Sequence, residues 1–471
     1  MHQLRRSRNI VGLCLLLCTL GAHDSSLAQE VITSDNVETE PAVETQPPVE
    51  TQPFTSAPSS NGALGLPSGQ PIYSSSLDGP IPAFATSDNL NLAIPAGRRI
   101  HLSLALGTGY DDNINSSSID PSGSAFVNAS LGLRYEFGSP RTQFFVQAGG
   151  GITDYFAQSG SPNYSGYLGL QLTHKLSPRM TFGANIYATY TSEPNFNLNL
   201  GINRRVGSYI YSTNQLTLSY LWTPRFSTLT SYTLGTFFQQ GQNNPPTMPG
   251  DLSNIGNSQD RIENTFGNQF RFLLLPTTTV LIEYRLRFIT YQQNSAFDSV
   301  TNSLLAGFDH TFTPRLNVSL RGGVEYRSFQ SSGDSLSPTF DATVNYILSR
   351  RSSLSLFANY SLQPADIPGS ADRTAFRTGI NGRYNWTARI SSTIGFIYGH
   401  DDFGSNNSGT GVAVAGPTFS EDTLNLALSA RYAIRRYLGI YASYNFTDVI
   451  SSQPLRGYTR NHISAGIDFT F

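Results

Sequence analysis

Charged side chains recur at every second position in several segments of the chain. In "TVLIEYRLRF" (279–288), Glu283, Arg285 and Arg287 alternate with apolar residues. Of the 30 basic residues, 29 are arginine and only Lys175 is lysine. The guanidinium group is a planar fork that pairs bidentately with carboxylates or with anionic ligands. Two interpretations stay open: a surface that binds anions or sugars, and Arg–carboxylate pairs, such as Glu283 with Arg321, that only neutralise one another.

The same alternation extends to neighbouring segments and predicts one continuous charged face. Gln269, Asn345 and the charged Arg373 also belong to this face. The remaining charged residues expected on this face are Arg261, Glu263, Arg271, Asp309, Arg321, Glu325, Arg327, Asp341, Arg377 and Arg383.

Two oxygen-rich segments, "YDDNINSSSID" (110–120) and "HDDFGSNN" (400–407), contain groups that calcium prefers as ligands. Neither segment has the spacing of a known calcium loop, which favours a purely solvent-facing role. His400, beside Asp401 and Asp402, is the one cluster with the residue types of a catalytic site. We predict no catalytic site, no metal site and no cofactor. The two cysteines, Cys14 and Cys18, are both close to the N-terminus.

Long alternating segments must position the charged face. "TFGANIYATY" (181–190) and "RLNVSLRGGVEYR" (315–327) place apolar residues on one side and polar residues on the other. Period-two alternation over about ten residues predicts β-strands with one apolar and one polar face. Tyr and Phe together number 53, Gly numbers 42, and charged residues make up 13%. This composition is typical of an all-β protein.

Short and long connections alternate between these strands. Eight short turns are predicted, most of which carry Pro, Ser or Thr next to Arg: 138–141, 177–179, 223–225, 276–279, 313–315, 349–352, 387–389 and 434–436. Nine longer polar connections separate them: 110–123, 155–163, 192–207, 240–259, 293–300, 330–337, 364–372, 402–418 and 451–458. This order is typical of a transmembrane antiparallel up-and-down β-barrel, with short periplasmic turns and long external loops. The connections predict 18 strands.

The chain divides into three parts. Residues 1–28 combine a basic start, an apolar stretch and small residues before Gln29, which predicts a signal peptide. Residues 29–96 repeat VETxP and are rich in Pro, Thr and Glu, which predicts a disordered linker. Residues 97–471 are expected to form the barrel. The formal charge of −2 gives no indication of a nucleic-acid partner.

The last strand carries a specific motif. "HISAGIDFTF" (462–471) alternates to its final residue, and its apolar face is expected to meet lipid while its edge pairs with the first strand (99–109). Ser464, Gly466, Phe469 and Phe471 resemble the C-terminal assembly signal of bacterial outer-membrane barrels. That resemblance implies recognition by the barrel-assembly machinery.

Residues from about 98 to 471 resemble the bacterial outer-membrane β-barrel porin-like family known as beta-barrel porin type 2, including the start "GYDDNINSS" (109–117). The resemblance implies a Gram-negative outer-membrane location, contact with lipid and lipopolysaccharide, and a pore. Trimers are common among porins that the chain resembles, so a homo-oligomer is compatible with it. Some members accompany exopolysaccharide systems.

We therefore expect a porin-like channel for passive diffusion of small hydrophilic solutes, favouring anions or sugars, rather than an enzyme. The charged residues listed above would line the pore. The alternative is an envelope-assembly or exopolysaccharide-export barrel that serves as a scaffold or conduit.

Overall fold

Alternation along the sequence becomes a single antiparallel sheet in the computed structural model. The structure describes residues 100–158, 162–191, 208–240, 260–293, 295–330, 334–365, 372–404, 418–454 and 456–471. The expectations for residues 1–28 and 29–96 lie outside the described residues. In the described part, no helix is long and apolar enough to cross a membrane.

Eighteen strands make up the sheet, as the alternation of short and long connections predicts. Most strands are 12–16 residues long, and the longest has 17. They are β1 (Ile100–Asp111), β2 (Ser124–Gly138), β3 (Thr142–Tyr155), β4 (Asn163–Ser177), β5 (Met180–Thr191), β6 (Ser208–Thr223), β7 (Phe226–Gln240), β8 (Arg261–Leu275), β9 (Thr278–Tyr291), β10 (Ser299–Thr313), β11 (Leu316–Phe329), β12 (Ser335–Ser349), β13 (Ser352–Pro364), β14 (Asp372–Asn385), β15 (Ile390–Phe403), β16 (Phe419–Arg435), β17 (Leu438–Ser451) and β18 (Tyr458–Thr470).

Pairing of the first and last strands closes the sheet into a barrel. Each strand is antiparallel to its sequence neighbours, and β1 pairs with β18 from Ser103–Thr470 to Asp111–His462. Phe471 extends this pairing, since its backbone N–H donates to Leu102 O at 2.8 Å and its carbonyl accepts from Leu102 N at 3.1 Å. The expected pairing of the terminal strand with the first strand is confirmed. Because the strand number is even, both ends of the barrel chain lie at the same end of the barrel.

The short turns all lie at one end of the barrel, and several of them share a local hydrogen-bonding pattern. The hydroxyls of Ser177, Thr223 and Thr313 each accept the backbone N–H of the arginine two residues later, at 3.2–3.3 Å. The arginine carbonyl then accepts a backbone N–H from the following hairpin, as in Leu221 N to Arg179 O at 2.8 Å. Ser and Thr are favoured here because they bond the turn backbone locally.

The two faces of the sheet differ in polarity. On β9, the outward-facing Ile282 and Tyr284 are 55% and 44% exposed, whereas Glu283, Arg285 and Arg287 are at most 4% exposed on the inner face. Aromatic residues also gather near the turns: Trp222 and Trp386 are exposed, and their rings lie edge-on to Tyr220 and Tyr384 at 4.7 Å. The barrel thus has an apolar exterior and a polar interior.

Candidate functional site on the inner face of the barrel

The charged residues predicted to share one face all lie on the inner face of β8–β12 and β14. Strand register brings them together, since Arg321 lies opposite Asp341 and Gly307 lies opposite Arg321. Arg383 is set apart, near the turn that ends β14. The remaining twelve lie within strands of the same wall: Arg261, Glu263, Arg271, Glu283, Arg285, Arg287, Asp309, Arg321, Glu325, Arg327, Asp341 and Arg377.

Ion pairs connect most of these residues. Arg261 contacts Glu263 at 2.8 Å, Arg271 contacts Asp309 at 2.9 Å, and Arg285 pairs with Glu283. Longer contacts link neighbouring pairs, as in Arg287–Glu325 at 3.5 Å and Arg321–Asp309 at 3.6 Å. Arg321 approaches Glu283 at 3.9 Å, which is the pair expected from alternation alone. Much of the arginine charge on this wall is therefore compensated internally.

Two contacts in this network are too long for direct hydrogen bonds and join atoms that have no hydrogen-bond partner among the described residues. Arg285 Nη1 lies 3.7 Å from Asp341 Oδ2, and Arg321 Nε lies 3.9 Å from Glu283 Oε2. All four of these buried atoms have hydrogen-bonding capacity that no protein group uses. A bridging hydroxyl or water satisfies such a donor and acceptor together. The wall therefore offers donors and acceptors side by side.

A second set of ion pairs lies on β14–β18 and β1. Asp401 accepts two hydrogen bonds at 2.7 Å from Arg377 and lies 2.7 Å from Arg373. The other pairs in this set are Arg456–Glu421 at 2.9 Å, Arg431–Asp468 at 2.7 Å and Arg460–Asp111, with Arg460 Nε to Asp111 Oδ2 at 2.8 Å. Sequence reasoning did not single out these pairs, although continuing the inner-face alternation through β15–β18 and β1 would have found every member except Arg456, which lies in the connection before β18.

Arg383 and Lys175 differ from the paired arginines. Within the described part of the chain, neither side chain forms an ion pair. Both lie on the inner face near the short-turn end, with Arg383 half-buried and Lys175 exposed. Their positive charges therefore act on the lumen without a neighbouring carboxylate.

Strand alternation separates Asp401 from the rest of the candidate catalytic cluster, whereas His400 Nε2 stays 3.3 Å from Asp402 Oδ2. His400 and Asp402 face outward, where His400 Nδ1 contacts Asp422 at 2.8 Å, while Asp401 faces inward and binds arginines. In the first loop, Asp111 binds Arg460, and Asp112 accepts the backbone N–H of Asn461 at 2.7 Å. Asn113 and Asn115 hydrogen-bond backbone groups of their own loop. Asp111, Asp112 and Asn113 therefore tie this segment to β18, whereas Asn115 forms hydrogen bonds within the loop.

Asp260 stands just before β8, outside the strands. Its carboxylate accepts the backbone N–H of Gln239 at 2.7 Å, which ties the entry of β8 to the end of β7. Burial raises the pKa of Asp260, and this outweighs the lowering by the Gln239 amide. The carboxyl group therefore takes up a proton at a higher pH than an exposed aspartate does.

The residues of the C-terminal motif occupy distinct positions. Ser464 Oγ lies 2.6 Å from Ser443 Oγ on the inner face. Gly466 lies opposite Gly107, and a Cβ at Gly466 would meet Leu106 O at 2.2 Å. Phe469 and Phe471 have parallel rings 6.5 Å apart on the outer face.

Comparison with known proteins gives a family match and several distant structural similarities. Residues 253–471 match the family described as "Putative beta-barrel porin 2". No curated protein matches the chain. Similar solved structures include OccAB4 of Acinetobacter baumannii, which is 11% identical with a TM-score of 0.41 and covers 79% of this chain and 99% of its own.

The siderophore receptor PirA of the same organism is 9% identical with a TM-score of 0.38, over 80% of this chain and 81% of its own. The FrpB iron transporter of Neisseria meningitidis is 11% identical with a TM-score of 0.38, over 77% and 63%. The family match alone confirms the expected resemblance to beta-barrel porin type 2 over residues 253–471, which contain β8–β18 of the closed barrel.

Proposed function

We propose that the protein is an outer-membrane channel through which small hydrophilic solutes diffuse passively. The observation that carries the proposal is the closed barrel with an apolar outer face and a charged inner face. Closed barrels satisfy every backbone hydrogen bond without water, as a hydrocarbon environment requires. Barrels of about 16–18 strands are wide enough for an aqueous channel. The match of residues 253–471 to a porin family agrees with this function.

The same proposal specifies the membrane in which the protein lies and the route by which it gets there. The outer face meets the lipid and lipopolysaccharide of a Gram-negative outer membrane, and the barrel-assembly machinery inserts the protein through its C-terminal motif. Residues 1–28 direct export and are then removed. Separation of inner and outer membranes on a density gradient tests the location, and N-terminal sequencing of the isolated protein tests the cleavage.

Solute preference is proposed from the charges on the inner face. Arg383 and Lys175 supply positive charge that no described carboxylate neutralises by ion pairing, which supports a modest preference for anions. The more accessible polar groups of the inner face, such as Arg271 and Asp309, supply the donors and acceptors that hydroxyl-rich solutes such as sugars require. The pore-lining role of the charged residues is part of this proposal.

Single-channel recording of the full-length protein in a planar bilayer tests the proposal. We expect stable ohmic steps and a reversal potential under a KCl gradient that indicates anion preference. Addition of sugars to one side is expected to interrupt the current if they enter the pore. Folded, inserted protein that gives no steps would contradict a diffusion channel.

A second candidate function is an envelope-assembly or polysaccharide-export barrel that acts as a scaffold or conduit. The observation favouring it is the deep burial of inner-face charges, since Glu325, Arg327, Asp401 and Glu421 have no measurable exposure. A barrel that conducts only when a periplasmic partner or a polysaccharide is added would support this candidate. Neither candidate assigns the protein an enzymatic activity.

A further inference from the structure

The outer end of β13 separates from β12 while it stays paired with β14 as far as Pro364–Asp372. Pairing of β12 with β13 ends at Phe340–Tyr360, although both strands continue beyond it. If the pairing continued, Pro338 would lie opposite Leu362. Proline has no backbone N–H to donate to a neighbouring strand, so this position does not favour continued pairing.

Side chains from β11 provide the hydrogen-bond partners of the Leu362 backbone. The Leu362 N–H donates to Glu325 Oε2 at 3.0 Å, and the Leu362 carbonyl accepts from Arg327 Nη2 at 3.0 Å. Glu325 and Arg327 lie on the inner face of β11, and β12 separates β11 from β13 in the sheet. The outer end of β13 must therefore lie inside the barrel, against the inner face of β12.

Burial supports this position. All five residues 361–365 are buried, on both faces of the strand. Leu362 belongs to the face of β13 that points outward elsewhere, yet it is only 2% exposed. On the adjacent end of β12, the outward-facing Leu336 is 72% exposed. We call residues 361–365 the inner strap.

The far end of the inner strap contacts a different part of the wall. Ala365 packs in one cluster with Phe403 and Phe419, which lie at the loop ends of β15 and β16. The two phenylalanine rings are stacked at 4.3 Å, and the Arg456 guanidinium lies over both rings at 5.3–5.6 Å. The inner strap thus contacts the inner face of one wall of the barrel from β11 to β16, while it stays paired with β14.

We propose that the inner strap is the constriction that sets the size limit of the channel, with Glu325 and Arg327 as the positioning residues that hold it inside. The inference rests on the proposed diffusion function and identifies the element that regulates it. Glu325 and Arg327 have no measurable exposure, and buried charges of this kind require hydrogen-bonding partners. Pro338 also favours this position of the strap, because a proline on β12 cannot donate a backbone hydrogen bond to Leu362.

Substitution of Leu362 by proline tests the proposal with little other change. Leu362→Pro removes the N–H that Glu325 accepts but leaves both charges and the pairing of β13 with β14, because the Leu362 backbone groups point away from β14. Leu362→Ala is the matched control, since it shortens the same side chain and keeps the N–H. Both variants are first checked for a folded barrel by heat-modifiable migration in SDS gels.

We expect single-channel conductance of the folded Leu362→Pro protein to be roughly doubled, since conductance follows the narrowest cross-section, whereas Leu362→Ala stays close to the native value. Equal conductance of native, Leu362→Ala and Leu362→Pro channels would overturn the role of the strap while leaving the diffusion function intact. A native protein that is silent while Leu362→Pro conducts would support the strap and contradict open diffusion in the native state.

Thiol labelling provides a measurement that does not depend on conductance. We expect a maleimide to label folded Ala365→Cys slowly, because Ala365 is 2% exposed, and to label Ile119→Cys rapidly, because Ile119 is 71% exposed in the loop between β1 and β2. Adding Leu362→Pro to Ala365→Cys should accelerate the labelling. Rapid labelling of Ala365→Cys alone, or no acceleration by Leu362→Pro, would overturn the proposal.

Discussion

At the scale of single residues, the buried carboxylates balance the arginines of the inner face. Asp401 shows this clearly, since it contacts both Arg373 and Arg377 at 2.7 Å and all three side chains are at most 5% exposed. Breaking a buried ion pair by removing one partner is costly because the other charge stays desolvated. The inner face therefore tolerates loss of an exposed charge far better than loss of a buried one.

Asp401→Asn should destabilise the barrel by about 3–5 kcal/mol, because it removes the negative charge that two buried arginines share. The free energy of unfolding in urea, measured on protein reconstituted in lipid, checks this value. Glu136→Gln is the matched control, since the Arg134–Glu136 side chains are 34% and 46% exposed. Such an exposed pair contributes roughly 1 kcal/mol or less. Equal losses in the two variants would contradict the argument.

Arg383→Gln should reduce the anion preference of the channel. A unit charge about 10 Å from a permeating ion in water attracts an anion and repels a cation by about 0.4 kcal/mol each, so the permeability ratio of anion to cation should fall up to about fourfold. The reversal potential under a KCl gradient measures this ratio. Arg383→Lys, which keeps the charge, should retain the native ratio. An unchanged ratio in Arg383→Gln would remove Arg383 from the selectivity mechanism.

At the scale of elements, the sequence was sufficient to predict the strands but not the inner strap. Alternation and the Ser/Thr-x-Arg turns predict eighteen strands, and these are confirmed, with most boundaries within a few residues. Along 352–364 the same alternation continues through Leu362, with Phe357 as the one apolar residue on the polar face, so it predicts an ordinary wall strand. The separation of the strap from β12 depends on Pro338, which lies on another strand, and on side chains of β11. These are tertiary contacts that the alternation within β13 does not encode.

Pairing of β1 with β18 also depends on the close approach of their backbones. Gly466 lies opposite Gly107, and the Tyr441 hydroxyl would be 2.8 Å from a Cβ added at Gly466. Gly466→Ala would also bring that Cβ to 2.7 Å from Gly107 Cα, which requires the backbone to shift. We expect a loss of about 1–3 kcal/mol, as for overpacked positions generally.

The unfolding free energy of Gly466→Ala is best compared with that of Gly322→Ala. A Cβ at Gly322 meets nothing within 4 Å, so this substitution should be nearly neutral. If both substitutions lowered the unfolding free energy by the same amount, the close approach of β18 to β1 would not be what makes Gly466 necessary.

At the scale of the whole molecule, the barrel depends on a long-range closure. Residues 103–111 pair with residues 462–470, so the sheet is completed only when the two ends of the barrel chain meet. An unclosed sheet leaves an open edge with unpaired backbone groups, which a hydrocarbon environment does not tolerate. Assembly should therefore be far more sensitive to the last residue than to the long segment that precedes β1.

Deletion of Phe471 should lower the yield of assembled barrel severalfold, whereas deletion of residues 30–90 should leave it near the native level. Phe471 contributes two backbone hydrogen bonds to Leu102 and an aromatic ring on the outer face, and residues 30–90 precede the whole sheet. The heat-modifiable folded band in the membrane fraction measures the yield. Phe471→Leu keeps the backbone bonds and so separates strand closure from recognition of the aromatic ring. Equal yields from the two deletions would refute the role assigned to the C-terminus.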